Sequence, residues 1–250
     1  MAAVKDMSYV THIYDQKISP THSRMEVYRR MILAPQLNYQ QEDKSDDEYA
    51  QKMEKILSAY PTIGVPRDPT MIANNVYIGT NANAENTKLL RSLGIKYLLN
   101  MDGGSYVRFK RYRDLYEPDT QVVGYDEIPA EDREDFNIRA FFEKAISYID
   151  YCRGRGGKVL IFDPGVSRSG AIAIAYLIHN GQTLLDATRA LKTQRRVALC
   201  NVGFMRQLVS YAREKCMLDN DVSVTSKIPR FDSAINKYRI RATAYKPQLF

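Results

Sequence analysis

Hydrophobic residues recur with a regular period from about residue 72 to residue 216. Short runs rich in β-branched, leucine and aromatic residues, at 74–79, 95–101 and 158–162, are typical of strands. Other segments, such as 136–152, repeat apolar residues every three or four positions, which is typical of amphipathic helices. Because strands and helices alternate, the pattern predicts an α/β fold. We expect a central, mostly parallel sheet of about five strands with helices on both faces.

The helices predicted by this period lie at 83–94, 136–152, 168–180, 183–196 and 203–216. Gly94 stands at the end of the first of them and is a typical helix stop.

Both ends of the chain lack this regular pattern. Residues 40–57 open with acidic residues and then place apolar residues at helical spacing, which predicts a short helix. Closely spaced prolines between 61 and 69 predict a linker. We therefore expect an N-terminal arm with a short helix and a Pro-rich linker at 1–66, an α/β domain at 67–218 and a basic C-terminal tail at 219–250.

Composition narrows the classes of partner. The chain has 250 residues and a formal net charge of +7; residues 219–250 hold 6 Lys and Arg against 3 Asp and Glu. A basic protein favours acidic partners such as nucleic acid, phosphoproteins or acidic filaments.

No apolar stretch approaches the ~20 residues that cross a bilayer, and the first ten residues carry no secretory signal, so we expect a cytoplasmic protein that binds no membrane. Its three cysteines and three histidines form no ligand pattern, so we expect no metal and no cofactor.

A tight loop connects the predicted strand at 158–162 to the helix that follows it. Backbone N–H groups and a helix N-terminus converge at such a loop, and an arginine there can bind an anion with two N–H groups. The loop is therefore a candidate anion cradle. Its members are Asp163, Pro164, Gly165, Val166, Ser167, Arg168 and Ser169.

Residues 159–170 (VLIFDPGVSRSG) resemble the signature loop of the dual-specificity, cysteine-dependent protein phosphatases, which reads His-Cys-x-x-Gly-x-x-Arg-Ser/Thr. Residues 72–101 resemble the opening strand–helix–strand of that family. Residues 175–178 (AYLI) and 201–208 (NVGFMRQL) are similar to two of its helix motifs. The resemblance covers about residues 67–217 and implies the α/β fold of that family.

The resemblance also implies where the chemistry should be. The family attacks phosphorus with a thiolate three positions before the loop glycine, and Phe162 stands there in this sequence. Ile161 stands where the family has its histidine. A phenyl ring cannot ionise and occupies space meant for phosphate. These departures predict a catalytically dead, STYX-like pseudophosphatase in which Ile161 and Phe162 are degenerate positions.

Two further departures concern phosphate binding. Asp163 adds a carboxylate to a loop built for a dianion, and like charges ~4 Å apart repel by one to several kcal/mol. Pro164 removes one N–H donor. Arg168 remains as a vestigial phosphate ligand, and Asp163 is a candidate partner for its charge. An aspartyl-phosphate reaction at Asp163 would need Mg²⁺ and a second acid, and Asp163 is not part of an Asp-x-Asp pattern.

The segment 124–142 aligns in spacing with the loop that carries the general acid of the family, which places Asp132 at the acid position. Asp132 is either a vestigial acid or an ordinary solvated carboxylate among its acidic neighbours. We favour the second interpretation, because an acid without a nucleophile has no reaction to serve.

Basic and aromatic residues alternate at 105–116 (SYVRFKRYRDLY). This segment is either a solvated face or a docking patch for acidic or phosphorylated protein, and nucleic acid is the less favoured partner because no nucleic-acid motif accompanies it. The candidate docking residues are Arg108, Lys110, Arg111 and Arg113. A second basic run, at 193–196 (TQRR), is expected to complement the dipole at the end of a helix.

The sequence supports two leading functions with one fold. The first is a scaffold or architectural protein whose basic, aromatic arms bind an acidic surface such as tubulin or another cytoskeletal filament, in the cytoskeleton or a cilium. The alternative is a phosphoprotein-binding regulator that competes with active phosphatases. A weakly active protein phosphatase would need a nucleophile other than the family's cysteine.

Overall fold

The computed structural model of this chain describes residues 44–59, 64–116 and 122–218. Most of the predicted N-terminal arm and the predicted basic tail at 219–250 lie outside the described residues.

The described residues contain five strands, β1 (Thr70–Ala73), β2 (Val76–Thr80), β3 (Ile95–Asn100), β4 (Gly124–Glu127) and β5 (Lys158–Asp163). They form one sheet in the order β1-β2-β5-β3-β4. The edge strand β1 is antiparallel to β2, and all other neighbours are parallel. The predicted α/β fold with a mostly parallel central sheet is therefore confirmed.

Helices pack on both faces of the sheet. They are α1 (Lys44–Ser58), α2 (Asn81–Glu85), α3 (Thr87–Leu93), α4 (Tyr106–Tyr116), α5 (Phe142–Gly154), α6 (Ser167–His179), α7 (Leu184–Gln194) and α8 (Val202–Glu214), with a short 3₁₀ helix (Ile138–Phe141) before α5.

The prediction of a single helix at 83–94 was wrong, because the structure has two short helices there. The side chain of Asn86 accepts a hydrogen bond from the backbone N–H of Leu89 at 3.0 Å and so begins a new helix. Asparagine competes with the helical backbone in this way, and it caps helices better than it continues them. Gly94 ends α3 with a φ of 69°, as expected for a glycine stop.

The alternation of side chains along β5 divides the interior into two cores. Val159 and Ile161 face the core that is shared with α1 and α5 to α8. Leu160 and Phe162 face the core beneath α2, α3 and α4. Helix α6 is buried from its first residue to Ile178, so the loop before it is held against the centre of the molecule.

Helix α1 belongs to the first core. Tyr49, Met53 and Leu57 are buried in that core, and Asp47 pairs with Arg206 of α8 at 3.0 Å. The packed unit therefore includes residues on both sides of the boundary expected at residue 66.

Within the described ranges, no helix combines the length and the apolar character that a membrane crossing requires.

Candidate functional site

The loop between β5 and α6 lies at the carboxyl end of the central strand of the sheet. Strand β5 ends at Asp163, and α6 begins at Ser167. In open α/β sheets this edge is where ligands bind. The register of the neighbouring strands brings Thr80 beside Asp163 and Asn100 beside Phe162, so the ends of β2 and β3 flank the loop.

Phe162, at the predicted nucleophile position, is completely buried in the core beneath α4. Its ring makes an edge-to-face contact with Tyr112, with 5.4 Å between ring centroids. Burial also raises the pKa of Tyr112 to about 12. Ile161 is equally buried, but it points to the opposite core. Both side chains therefore contribute hydrophobic packing.

Asp163 is also completely buried. Its Oδ1 accepts a hydrogen bond from the Ser169 hydroxyl at 2.7 Å, and its Oδ2 lies 3.5 Å from Nε of Arg168. Burial raises the pKa of Asp163 because it disfavours the charged form, and the nearby Asp132 carboxylate raises it further. The hydrogen bond from Ser169 and the charge of Arg168 act in the opposite direction. Asp163 is thus the charge partner that the sequence suggested for Arg168.

The Arg168 guanidinium has two further oxygen partners. Its Nη1 donates to Oδ1 of Asp102 and to the backbone oxygen of Ala130, both at 2.9 Å. The other oxygen of Asp102 accepts a hydrogen bond from Arg108 at 2.6 Å. Four alternating charges, Asp163, Arg168, Asp102 and Arg108, therefore form one connected cluster across the ends of β3 and β5. We name it the loop ion cluster.

The structure brings Asp132 to the same loop. Its side chain is exposed, and its Oδ1 accepts a hydrogen bond from the Asn201 side chain at 2.9 Å. A Cβ added to Gly165 would lie 3.8 Å from Oδ2 of Asp163 and 4.0 Å from Oδ2 of Asp132. The two carboxylates therefore face the same glycine.

The motif at 201–208 explains how the Asp132 segment is fixed. A Cβ on Gly203 would lie 1.9 Å from the backbone oxygen of Glu134, so only glycine permits this approach. Gln207 donates to the backbone oxygen of Phe136 at 2.8 Å and accepts from the backbone N–H of Arg139 at 2.9 Å. The motif is therefore a clamp for the predicted acid loop.

Three of the four candidate docking residues on α4 already pair with carboxylates. The pairs are Arg108 with Asp102, Arg111 with Glu85 at 3.0 Å, and Arg113 with Asp114 at 3.3 Å. Lys110 is exposed. This arrangement favours a solvated, ion-paired face over a docking patch.

Two site features escaped the sequence reasoning. Asp102 lies 66 residues before Arg168, and only the pairing of β3 with β5 brings them together. Arg195 was expected to complement a helix dipole, but it is buried and donates to the Thr70 hydroxyl at 3.0 Å. Burial lowers the pKa of Arg195.

Among the described residues, no three His, Cys, Asp or Glu side chains are grouped to hold a metal ion.

Comparisons with known proteins agree with this architecture. The family model described as "Dual specificity phosphatase, catalytic domain" matches residues 76–214. Dual specificity protein phosphatase 5 of Rattus norvegicus is 36% identical over 148 residues, which cover 58% of this chain and 36% of that protein. Dual specificity protein phosphatase 1 of Arabidopsis thaliana is 34% identical over 142 residues, which cover 56% of this chain and 67% of that protein.

Solved structures show the same fold. The crystal structure of human DUSP28 is 25% identical, covers 61% of this chain and 98% of its own, and has a TM-score of 0.51. The tyrosine phosphatase OH1 from the Orf virus is 22% identical, covers 65% of this chain and 96% of its own, and has a TM-score of 0.52, a likeness of fold alone. Because the family model spans more than half of the sequence and includes the loop, the clamp and strands β2 to β5, the chain belongs to the dual-specificity phosphatase family.

Proposed function

We propose that this chain is a catalytically inactive member of its family that acts as a scaffold or architectural binding protein. The observation that carries the proposal is Phe162, which takes the position of the family's nucleophile and is packed completely inside the core. The family's reaction begins when a thiolate attacks phosphorus, and a phenyl ring has no lone pair to attack with. Without that attack no phosphoenzyme forms, so Asp132 has no leaving group to protonate as a general acid.

The same loop also supports a loss of phosphate binding. Arg168 already meets Asp163 and Asp102 and also donates to the backbone oxygen of Ala130, so a phosphate would have to displace these oxygens. An incoming dianion would also meet the negative charge of Asp132 beside Gly165. Pro164 offers no N–H group. These features favour the scaffold over the alternative, a phosphoprotein-binding regulator that would read phosphate through Arg168.

The partner that we propose is an acidic protein surface, with tubulin or a cytoskeletal filament, including that of a cilium, as the specific candidate. This part of the proposal rests on the sequence at 219–250, where basic residues outnumber acidic residues by 6 to 3 and alternate with aromatic and aliphatic residues.

Turnover is the first test. The full chain should release no phosphate from p-nitrophenyl phosphate above a buffer blank, while an active dual-specificity phosphatase assayed beside it does. Turnover that follows the protein through successive purification steps would refute the proposed inactivity. It would support the third candidate, a weakly active phosphatase.

Binding is the second test. The full chain should co-sediment with polymerised microtubules at low salt and less so at moderate salt, because surface charge pairs are screened. Replacing Lys237, Arg239 and Arg241 with glutamine should weaken co-sedimentation. Replacing the exposed domain residues Lys55, Lys88 and Lys96 with glutamine removes the same number of charges, and this matched control should not weaken it. Equal losses in both variants, or no dependence on salt, would contradict an arm-mediated interaction.

A further inference from the structure

We infer that the loop between β5 and α6 is still an anion site and that its permanent ligand is the carboxylate of Asp163. The chain thereby occupies its own anion cradle with a tethered, carboxylate-sized anion. Catalytic inactivity alone would leave the cradle without a ligand, whereas an internal ligand gives its retained hydroxyl and guanidinium groups a role.

The loop encloses the carboxylate of Asp163. The Ser169 hydroxyl donates a hydrogen bond to its Oδ1 at 2.7 Å, and Nε of Arg168 lies 3.5 Å from its Oδ2. A Cβ added to Gly165 would lie 3.8 Å from the same Oδ2. Gly165, Arg168 and Ser169 are all members of the candidate anion cradle, and Asp163 is completely buried. An external anion would therefore have to take the same groups from Asp163.

These groups favour the charged form of the carboxylate. Burial raises the pKa of Asp163, whereas the Ser169 hydroxyl, the charge of Arg168 and the backbone of Arg168 act in the opposite direction. A hydroxyl, a guanidinium and a backbone N–H are the groups with which a loop of this kind binds an anion. The loop therefore surrounds Asp163 as it would surround a bound anion.

A second buried arginine adds positive charge near the carboxylate. Nη1 of Arg195 donates to the Thr70 hydroxyl at 3.0 Å, and its Nη2 makes no hydrogen bond within the described residues. Burial lowers the pKa of Arg195 and the charge of Asp163 raises it, so the two side chains interact. Arg168 and Arg195, both buried, therefore share one completely buried carboxylate. Without that carboxylate, the buried charge near the loop would favour an incoming anion.

A tethered carboxylate has an advantage over a free anion. Binding a free anion costs translational freedom, and a side chain of the same loop pays little of that cost. A free phosphate would also be repelled by the nearby Asp132, whose charge already raises the pKa of Asp163 after the larger effect of burial. The internal ligand should therefore exclude phosphate from the loop.

Chemical rescue of Asp163→Ala in the full chain tests this assignment. The substitution removes the carboxylate and leaves space for formate, which carries the same charged group. Formate should raise the melting temperature of the variant saturably, by about 3–6 °C at about ten times its dissociation constant, as measured by differential scanning calorimetry. Ionic strength is held constant with sodium chloride. The neutral isostere formamide should give no saturable rise.

Nuclear magnetic resonance on the ¹⁵N-labelled variant locates the binding. The amide signals of Gly165 and Ser169 should shift with formate and saturate with the calorimetric effect. In the unmodified chain these signals should shift neither with formate nor with inorganic phosphate, because Asp163 already occupies the site.

Two further variants serve as controls. Asp163→Asn fills the same space with a neutral amide and should show no saturable response to formate. Asp186→Ala is the matched control, because it removes an exposed carboxylate on α7 that pairs with Arg189 at 2.8 Å, and it should not respond to formate either.

Several results would overturn the assignment: no response of Asp163→Ala to formate, an equal response to formamide, an equal response in either control variant, or a saturable phosphate shift in the unmodified chain. Should Asp163→Ala fail to fold in chloride, folding restored by formate but not by formamide would support the assignment, and failure with both would overturn it. The turnover assay decides the proposed inactivity independently of all these results.

Discussion

Placing cysteine at residue 162, which we propose to correspond to the family's nucleophile, should damage the fold without producing phosphatase activity. Phe162 is completely buried and contacts Tyr112 edge-to-face at 5.4 Å. Replacing a buried phenylalanine with alanine costs about 3–5 kcal/mol, and cysteine retains one more heavy atom, so Phe162→Cys should cost about 2–4 kcal/mol. For a packed unit of this size, the melting temperature should fall by about 5–15 °C.

The new thiol should remain unreactive towards aryl phosphates. Arg168 would still be held by Asp102 and Asp163, and the sulfur would lie in the apolar core beneath α4. Burial raises the pKa of a thiol, which removes the thiolate that the reaction needs. We therefore expect no release of p-nitrophenol above that of the unmodified chain.

Circular dichroism melting and the turnover assay on the same samples measure both effects. Phe162→Leu is the control for packing, because it keeps most of the apolar volume and should cost only about 1 kcal/mol. Robust turnover by Phe162→Cys alone would show that Asp163 and Ile161 matter less than we argue. An unchanged melting temperature would show that the ring does not support the core beneath α4.

Two further predictions concern the clamp and the buried carboxylate. Gly203→Ala should destabilise the chain by about 3 kcal/mol, because its Cβ would lie 1.9 Å from the backbone oxygen of Glu134, whereas Gly154→Ala, with open space around it, should be nearly neutral in the same chemical denaturation. Equal effects would contradict the close approach. The pKa of Asp163 is higher in the folded than in the unfolded chain, so its ionisation costs stability increasingly as pH rises above its ordinary value of 3.8. The stability of Asp163→Asn relative to the unmodified chain should therefore increase as pH rises from 3.8 through the folded-state pKa, and urea denaturation that gives a constant or decreasing difference would refute the raised pKa.

The sequence predicted the sheet better than it predicted the elements that flank it. Strands β2, β3 and β5 stand out because their interiors are almost purely apolar. Strand β4 is Gly-Tyr-Asp-Glu and was interpreted as part of a polar loop. Its charged residues are nonetheless buried, and Lys144 from α5 pairs with Asp126 at 3.3 Å. The ion pair that compensates this buried charge is a tertiary contact, and local hydropathy cannot reveal it.

Helix α4 carried a signal that the sequence analysis did not use. Phe109, Tyr112 and Tyr116 recur at helical spacing and are buried on one face of the helix, while Lys110 and Arg111 are exposed. The basic residues between the aromatic ones suggested a surface segment, but the period of the aromatic residues was that of an amphipathic helix.

At the site, the sequence located the loop and its anomalous residues but not the partners of the loop arginine. The order of residues suggested Asp163 as one partner, because the two are close in the chain. It gave no reason to select Asp102 among the other carboxylates, since that contact depends on the register between β3 and β5. The position of Asp132 opposite Gly165 likewise depends on Asn201, which comes from a third segment.

An arginine in the position of the family's phosphate ligand does not by itself indicate phosphate recognition, because its charge can be used inside the protein. Arg168 connects three parts of the molecule, since it contacts Asp163 at the end of β5, Asp102 after β3 and the backbone oxygen of Ala130 beside the acid loop. A buried guanidinium with these oxygen partners stabilises the arrangement of the loop, and removing it would leave two carboxylates close together without their shared cation. Its presence is therefore explained by the internal charges alone.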